Sequence, residues 1–184
     1  MGIDLTGLWH GELVRLAAPT AEDAPALAAN SQIWTRRLMD SGPVFPFSTE
    51  KVTEMIERDR ADASLFRFVI RTIGDDTIIG FCGLSDIEWS NGVAWLGIGI
   101  SDPEHWGKGY GREAVRLLLR FGFHELNLHR IALGVFSYND RAIELYRTLG
   151  FVHEGTERES IHRGGARYDM LIFGMLRGDW EATR

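Results

Sequence analysis

The chain has 184 residues, of which 45% are hydrophobic and 25% charged, and its formal net charge at pH 7 is -6. This composition is ordinary for a globular protein and excludes the collagen-like, coiled-coil and disordered classes. An acidic balance also disfavours nucleic acid as a partner. The single cysteine, Cys82, excludes an intramolecular disulfide and a cysteine-based zinc cluster.

The length of the chain predicts a single domain spanning residues 1–184. No apolar run approaches the roughly 20 residues that a membrane-spanning helix needs. Residues 1–9 lack the basic and apolar regions of a signal peptide. We therefore expect a soluble cytoplasmic domain without a membrane or nucleic-acid partner.

The first half of the chain predicts a short strand, two helices and three antiparallel strands. The first strand is predicted at 13–16, the first helix ends near residue 30, and the second begins at Ser48 or Thr49. Hairpin turns then separate strands at 66–71, 77–84 and 93–100.

The second half of the chain predicts helices alternating with strands. An apolar stripe at helical spacing predicts an amphipathic helix from about Tyr110, and a strand follows at 131–136. Asn139 and Gly150 are typical of the start and the end of another helix. The last two strands are predicted at 156–161 and 168–175.

A glycine-rich segment, residues 105–112, connects a predicted strand to a predicted helix. Glycines let the backbone approach a ligand closely, and the N–H groups at a helix start attract an anion. Lys108 and Arg112 add positive charge. The alternating spacing of its three glycines fits neither the dinucleotide fingerprint nor the P-loop. The segment therefore predicts a phosphate site of another kind, with a tight turn that holds no ligand as the alternative.

This segment resembles the acyl-CoA pyrophosphate loop of the GNAT superfamily of N-acetyltransferases. It matches the pattern Q/R-x-x-G-x-G/A, except that Trp106 stands at the first position. The segment 139–151 is similar to the family's N-x-x-A-x-x-x-Y-x-x-x-G-F sequence. Residues 158–175 and 103–107 resemble most the ribosomal-protein N-terminal acetyltransferase branch, and the polyamine acetyltransferase branch is nearly as similar.

The resemblance implies an α/β (α+β) fold with a mixed, mostly antiparallel sheet of six to seven strands, flanked by helices. It implies that the sheet is splayed between the fourth and fifth strands, here 93–100 and 131–136. The pantetheine arm of acetyl-CoA is expected in that gap, and Gly97 and Gly99 suit such an opening. Acetyl-CoA is the implied cosubstrate, an amine attacks it directly in a ternary complex, and no metal is expected.

The resemblance also implies which residues form the site. Tyr146 is expected beside the CoA sulfur, where it protonates the departing thiolate; a core tyrosine is the alternative. A phenol pKa of about 10 suits this role. No cysteine lies in either motif, so a covalent acyl-enzyme is not expected. The implied cofactor-binding residues are Ile98, Ile100, Ser101, Trp106, Gly107, Lys108, Gly109, Tyr110, Gly111, Arg112, Asn139 and Tyr146.

The sequence does not identify a general base, because the strand at 93–100 has no ionisable residue. The nearest acids, Asp86 and Glu88, are candidates for the base or for binding a cationic substrate, with solvated turn residues as the alternative. The proton acceptor could also be water, since an α-amino group has a pKa of only about 7.7–8.0.

The expected acceptor is a primary amine, either a protein N-terminus or a small-molecule amine such as a polyamine or an aminoglycoside. The acidic residues of the chain favour an acceptor that carries a further positive charge. A CoA-binding sensor or scaffold without turnover is the competing class of function. A homodimer is left open.

Overall fold

A computed structural model of the protein describes residues 7–31 and 45–182. The strands are β1 (Val14–Ala17), β2 (Phe66–Thr72), β3 (Ile78–Glu88), β4 (Val93–Ile100), β5 (Arg130–Phe136), β6 (Val152–Arg163) and β7 (Ala166–Leu176). The helices are α1 (Ala24–Ser31), α2 (Thr49–Ala61), α3 (Tyr110–Arg120), α4 (Asp140–Thr148) and α5 (Arg177–Ala182).

The seven strands form one sheet in the order β1-β2-β3-β4-β5-β7-β6. All neighbours pair antiparallel except β4 and β5, which are parallel. This mixed sheet with its flanking helices confirms the predicted fold class. In the part of the chain that the structure describes, no helix is both long and apolar enough to cross a membrane.

The element order agrees with the sequence prediction, and the differences lie at the edges. Strand β6 begins at Val152, four residues before its predicted start. The prediction missed this start because nearly all side chains of β6 are exposed and show no apolar alternation. The sequence analysis missed α5, which has six residues. Helix α1 begins at Ala24, directly after a 3-10 turn.

The main core lies between the sheet and α3, which packs against β1, β3 and β4. Leu84, Leu118, Ile131 and Phe173 are completely buried there. Helices α1 and α2 pack against each other around a smaller apolar cluster. An ion pair of 2.6 Å between Asp59 of α2 and Arg67 of β2 joins these helices to the sheet.

Strands β4 and β5 pair over only part of their length. The paired residues are Val93 with Arg130, Ala94 with Ile131, and Trp95 with Ala132. Beyond Trp95 the two strands diverge, although β4 continues to Ile100 and β5 to Phe136. The divergence confirms the predicted splay between the fourth and fifth strands.

The opposite edge of β4 packs tightly against β3. A Cβ atom at Gly80 would lie 2.0 Å from the carbonyl oxygen of Gly99, which is a backbone atom and cannot rotate away. Gly80 pairs with Ile100, at the end of β4 that has left β5. The missing side chain at Gly80 therefore keeps the diverging part of β4 in the sheet.

Replacing Gly80 by alanine is expected to lower the free energy of unfolding by about 1–3 kcal/mol, because the new methyl group must displace the backbone of β4. Gly74→Ala is the matched control, since nothing lies within 4 Å of its Cβ position. Its effect should stay within about 0.5 kcal/mol. Urea unfolding measures both variants, and equal stability of the two would contradict the close contact.

Candidate active site

A cleft of about 850 Å³ opens where β4 and β5 diverge. Its walls are the ends of both strands, the loop before α3 and the first turns of α4. Of the predicted cofactor-binding residues, the cleft is lined by Ile98, Ile100, Trp106, Gly107, Gly109, Tyr110, Gly111, Arg112, Asn139 and Tyr146. Ser101 and Lys108 do not line it. The structure thus brings the two sequence motifs together on one cavity.

The backbone of β4 directs polar groups into the cleft. Successive residues of a strand direct their N–H and C=O groups to opposite sides. The N–H of Ser101 donates to the carbonyl of Ile79, on the β3 side, at 2.9 Å. The groups of Ile100 and Ile98 therefore point toward the gap. The carbonyl of Ile100 accepts the indole N–H of Trp106 at 3.0 Å, which leaves Ile98 to pair with an extended ligand.

Two glycines in the left-handed region shape the loop before α3. Gly107 has φ 73° and Gly109 has φ 89°, values that favour glycine because other residues have a Cβ atom in the way. Gly109 directly precedes α3, and the first N–H groups of a helix have no partner within the helix. Together with the helix dipole, these groups attract negative charge, as a phosphate carries.

Side chains from α3 and α4 close the rim of the cleft. Arg112 of α3 donates to the hydroxyl of Thr148 at the end of α4, at 3.3 Å. The side chain of Asn139 accepts the N–H of Ala142 at 3.2 Å and so caps α4. This cap fixes the direction in which α4 leaves β5 and with it the position of Tyr146.

Tyr146 lies on the α4 wall of the cleft. Its side chain is only 6% exposed, and its ring packs edge-on against Phe151 with the ring centres 5.7 Å apart. Burial raises the pKa of the Tyr146 hydroxyl well above its usual value. The hydroxyl therefore keeps its proton at neutral pH and is available as a hydrogen-bond or proton donor.

The two acids that the sequence suggested as a base do not line the cleft. Asp86 accepts the hydroxyl of Ser85 at 2.8 Å, and Glu88 accepts the side-chain amide of Asn91 at 2.8 Å. Glu88 pairs with Val93, at the end of β4 that is still joined to β5. At about 3.3 Å per residue, this end lies roughly 17 Å from Ile98 along the strand.

The cleft also contains residues that the sequence analysis did not select. They include His105, Gly134, Phe136, Tyr138 and Arg141. Gly134 had a sequence signal, because it interrupts an apolar strand in the same way as Gly97. Arg141 also had a sequence signal, because a cation in the first turn of a helix is placed unfavourably with respect to the helix dipole.

No metal centre is formed by the described ranges 7–31 and 45–182, where no group of three or more His, Cys, Asp or Glu residues could hold an ion. Cys82 is completely buried, and burial raises the pKa of its thiol far above the usual value. The thiol is therefore a packing group and not a nucleophile.

A family model described as "Acetyltransferase (GNAT) domain" matches residues 14–152. The chain belongs to the GNAT acetyltransferase family. GNAT acetyltransferases use acetyl-CoA, so the chain is an N-acetyltransferase with acetyl-CoA as its cosubstrate.

Relatives of the chain are also named as N-acetyltransferases. YokL, an uncharacterized prophage-derived N-acetyltransferase of Bacillus subtilis, is 34% identical over 173 residues, 94% of this chain and 95% of YokL. YdaF of Bacillus subtilis, whose name points to ribosomal N-acetylation, is 28% identical over 141 residues, 76% of each chain.

The fold is also similar to that of the spermidine N-acetyltransferase from Vibrio cholerae in complex with CoA and spermine. That crystal structure has a TM-score of 0.85 and 26% identity, and the match covers 93% of this chain and 99% of that one. A dodecameric structure of the same enzyme has a TM-score of 0.79 and 28% identity over 92% and 97% of the two chains.

The raised pKa of Tyr146 predicts how stability changes in alkali. A folded pKa above the unfolded value of about 10 stabilises the folded state at lower pH, and this contribution is lost as the pH rises above about 10. Above about pH 10, the free energy of unfolding of the wild-type protein should therefore fall by up to about 1.4 kcal/mol per pH unit relative to that of Tyr146→Phe. Urea unfolding at several values between pH 8 and 11 measures this, and a constant difference between the two proteins would contradict the buried hydroxyl.

Proposed function

We propose that acetyl-CoA binds in the cleft between β4 and β5, with its pyrophosphate at the loop before α3 and its pantetheine arm in the gap. The observation that carries this proposal is the end of parallel pairing at Trp95 and Ala132. From there on, the backbone of Ile98 faces the cleft and has no partner on β5. Gly107 and Gly109 supply the close backbone approach that a pyrophosphate needs.

The proposed reaction is direct attack by a neutral primary amine. The amine nitrogen bonds to the thioester carbon, the carbon–sulfur bond breaks, and the thiolate takes the proton of Tyr146. Tyr146 recovers a proton from water, and the proton of the amine passes to water. Burial disfavours a thiolate as well as a tyrosinate, so the environment that raises the pKa of the phenol also raises that of a thiol beside it.

We propose that water, and not Asp86 or Glu88, receives the proton of the amine. Both acids are exposed, accept hydrogen bonds from residues near them in sequence, and do not line the cleft. A general base must come within hydrogen-bond reach of the proton that it removes. An α-amino group, with a pKa of about 7.7–8.0, is partly unprotonated at neutral pH and needs no stronger base.

We propose that the acceptor is a primary amine with a further positive charge, either a small polyamine-like molecule or a protein N-terminus near basic residues. The face of the sheet opposite α3 supports this. Trp95 is 42% exposed there, and nothing lies within 4 Å of the Cβ position of Gly97. Met170, which packs against Gly134, pairs with the exposed acid Glu157 on β6. The names of YdaF and the spermidine N-acetyltransferase support the two acceptor kinds.

Assembly and location belong to the same proposal. The dodecameric structure of the spermidine N-acetyltransferase supports self-association of this chain. A cytoplasmic location stays a prediction from the sequence.

Tyr146→Phe tests the mechanism because it removes only the hydroxyl. Turnover should fall about 10²–10⁴-fold, the usual contribution of a general acid, while the Kd for acetyl-CoA stays unchanged. Thiol release measures turnover, with spermidine and a peptide with a free N-terminal alanine and basic residues as the two acceptors. Glu88→Gln should keep the wild-type pH profile. Wild-type turnover in Tyr146→Phe would show that another donor protonates the thiolate.

A further inference from the structure

We propose that Arg141 binds a phosphate of acetyl-CoA and that Trp106 holds it in place for this task. This inference rests on the proposed binding of acetyl-CoA in the cleft. Neither the sequence motifs nor the comparisons with relatives assign a role to Arg141.

The two side chains meet across the cleft. Trp106 belongs to the loop before α3, and its ring is anchored by the hydrogen bond from its indole N–H to the carbonyl of Ile100 at 3.0 Å. The guanidinium carbon of Arg141, in the first turn of α4, lies 4.5 Å from the centre of this ring. Both residues line the cleft. An anchored aromatic ring therefore positions a cation at the wall of the cofactor site.

Arg141 forms no salt bridge with any residue that the structure describes. Among the described residues, no carboxylate lies within 4.0 Å of its guanidinium, although Asp140 and Glu144 belong to the same helix. The first turn of a helix is also where the dipole disfavours a cation. Arg141 is itself exposed, so its guanidinium, held by the Trp106 ring at the wall of the cleft, is accessible to an anionic ligand such as a phosphate.

The geometry of the stack suits a phosphate. A guanidinium that stacks on a ring uses its flat face, and its N–H donors remain directed outward along its edge. These donors can form two parallel hydrogen bonds to phosphate oxygens, the arrangement that distinguishes arginine from lysine. Because Trp106 orients the side chain beforehand, little conformational entropy is lost when the phosphate binds. Acetyl-CoA offers two such groups, its pyrophosphate and its 3′-phosphate.

Isothermal titration calorimetry with CoA and with 3′-dephospho-CoA tests the proposal without any turnover. Arg141→Ala should raise the Kd for CoA about tenfold or more, which is the loss of a charge-assisted hydrogen bond. Arg141→Lys should recover only part of the affinity, because lysine keeps the charge without the planar group. Arg147→Ala is the matched control, since Arg147 is an exposed arginine of the same helix that does not line the cleft.

The two ligands identify the phosphate. If Arg141 binds the 3′-phosphate, Arg141→Ala raises the Kd for CoA but leaves the Kd for 3′-dephospho-CoA unchanged. If Arg141 binds the pyrophosphate, Arg141→Ala raises the Kd for both ligands by the same factor. Trp106→Leu should reproduce the pattern of Arg141→Ala with the two ligands, and the melting temperature without ligand verifies that each variant is folded.

A wild-type Kd for both ligands in Arg141→Ala would overturn the role of Arg141 while leaving the cofactor site intact. An equal loss of affinity in Arg147→Ala would overturn it as well, because the effect would then be general electrostatics. If the wild-type protein itself binds no CoA, the proposed cofactor site fails, and the inference about Arg141 fails with it.

Discussion

The early end of pairing between β4 and β5 is the constraint on which the rest of the site depends. Each of the two strands keeps its other neighbour throughout: β4 pairs with β3 as far as Ile100, and β5 pairs with β7 over seven residues. The gap is therefore held open from both sides without loss of the outer hydrogen bonds. Backbone groups left facing such a gap are costly unless water or a ligand pairs with them, so the sheet itself prepares a site for an extended molecule.

The other parts of the site depend on the direction in which the chain leaves this gap. After β4, Trp106 bonds back to the carbonyl of Ile100 and turns the chain into the glycine loop and α3. After β5, Asn139 caps α4 and places Tyr146 on the wall of the cleft. The proposed anion-binding loop and the proposed proton donor are thus attached to the two diverging strands, one to each. In the proposed complex, the same opening would position both the pyrophosphate and the thioester of acetyl-CoA.

The sequence predicted those parts of the site that depend on local residues. The loop glycines and the cap at Asn139 are encoded within a few positions of where they act. Interactions between distant segments gave no comparable signal: the stack of Arg141 on Trp106 joins two motifs that are separated by a strand. The acids near β4 show the same limit. Glu88 is close to β4 in sequence, but the hairpin places it beside Val93, at the paired end of the strand.

Binding of the pantetheine arm between β4 and β5 is tested most directly by amide hydrogen exchange at single residues of β4. NMR measures the exchange with and without saturating acetyl-CoA. The N–H of Gly99 points to β3 and that of Ile98 points to the gap. Without ligand, Ile98 should exchange faster than Gly99. Acetyl-CoA should slow Ile98 about tenfold or more, as one hydrogen bond of ordinary strength would, and leave Gly99 unchanged. Unchanged exchange at Ile98 in the saturated complex would contradict the binding of the pantetheine arm between β4 and β5.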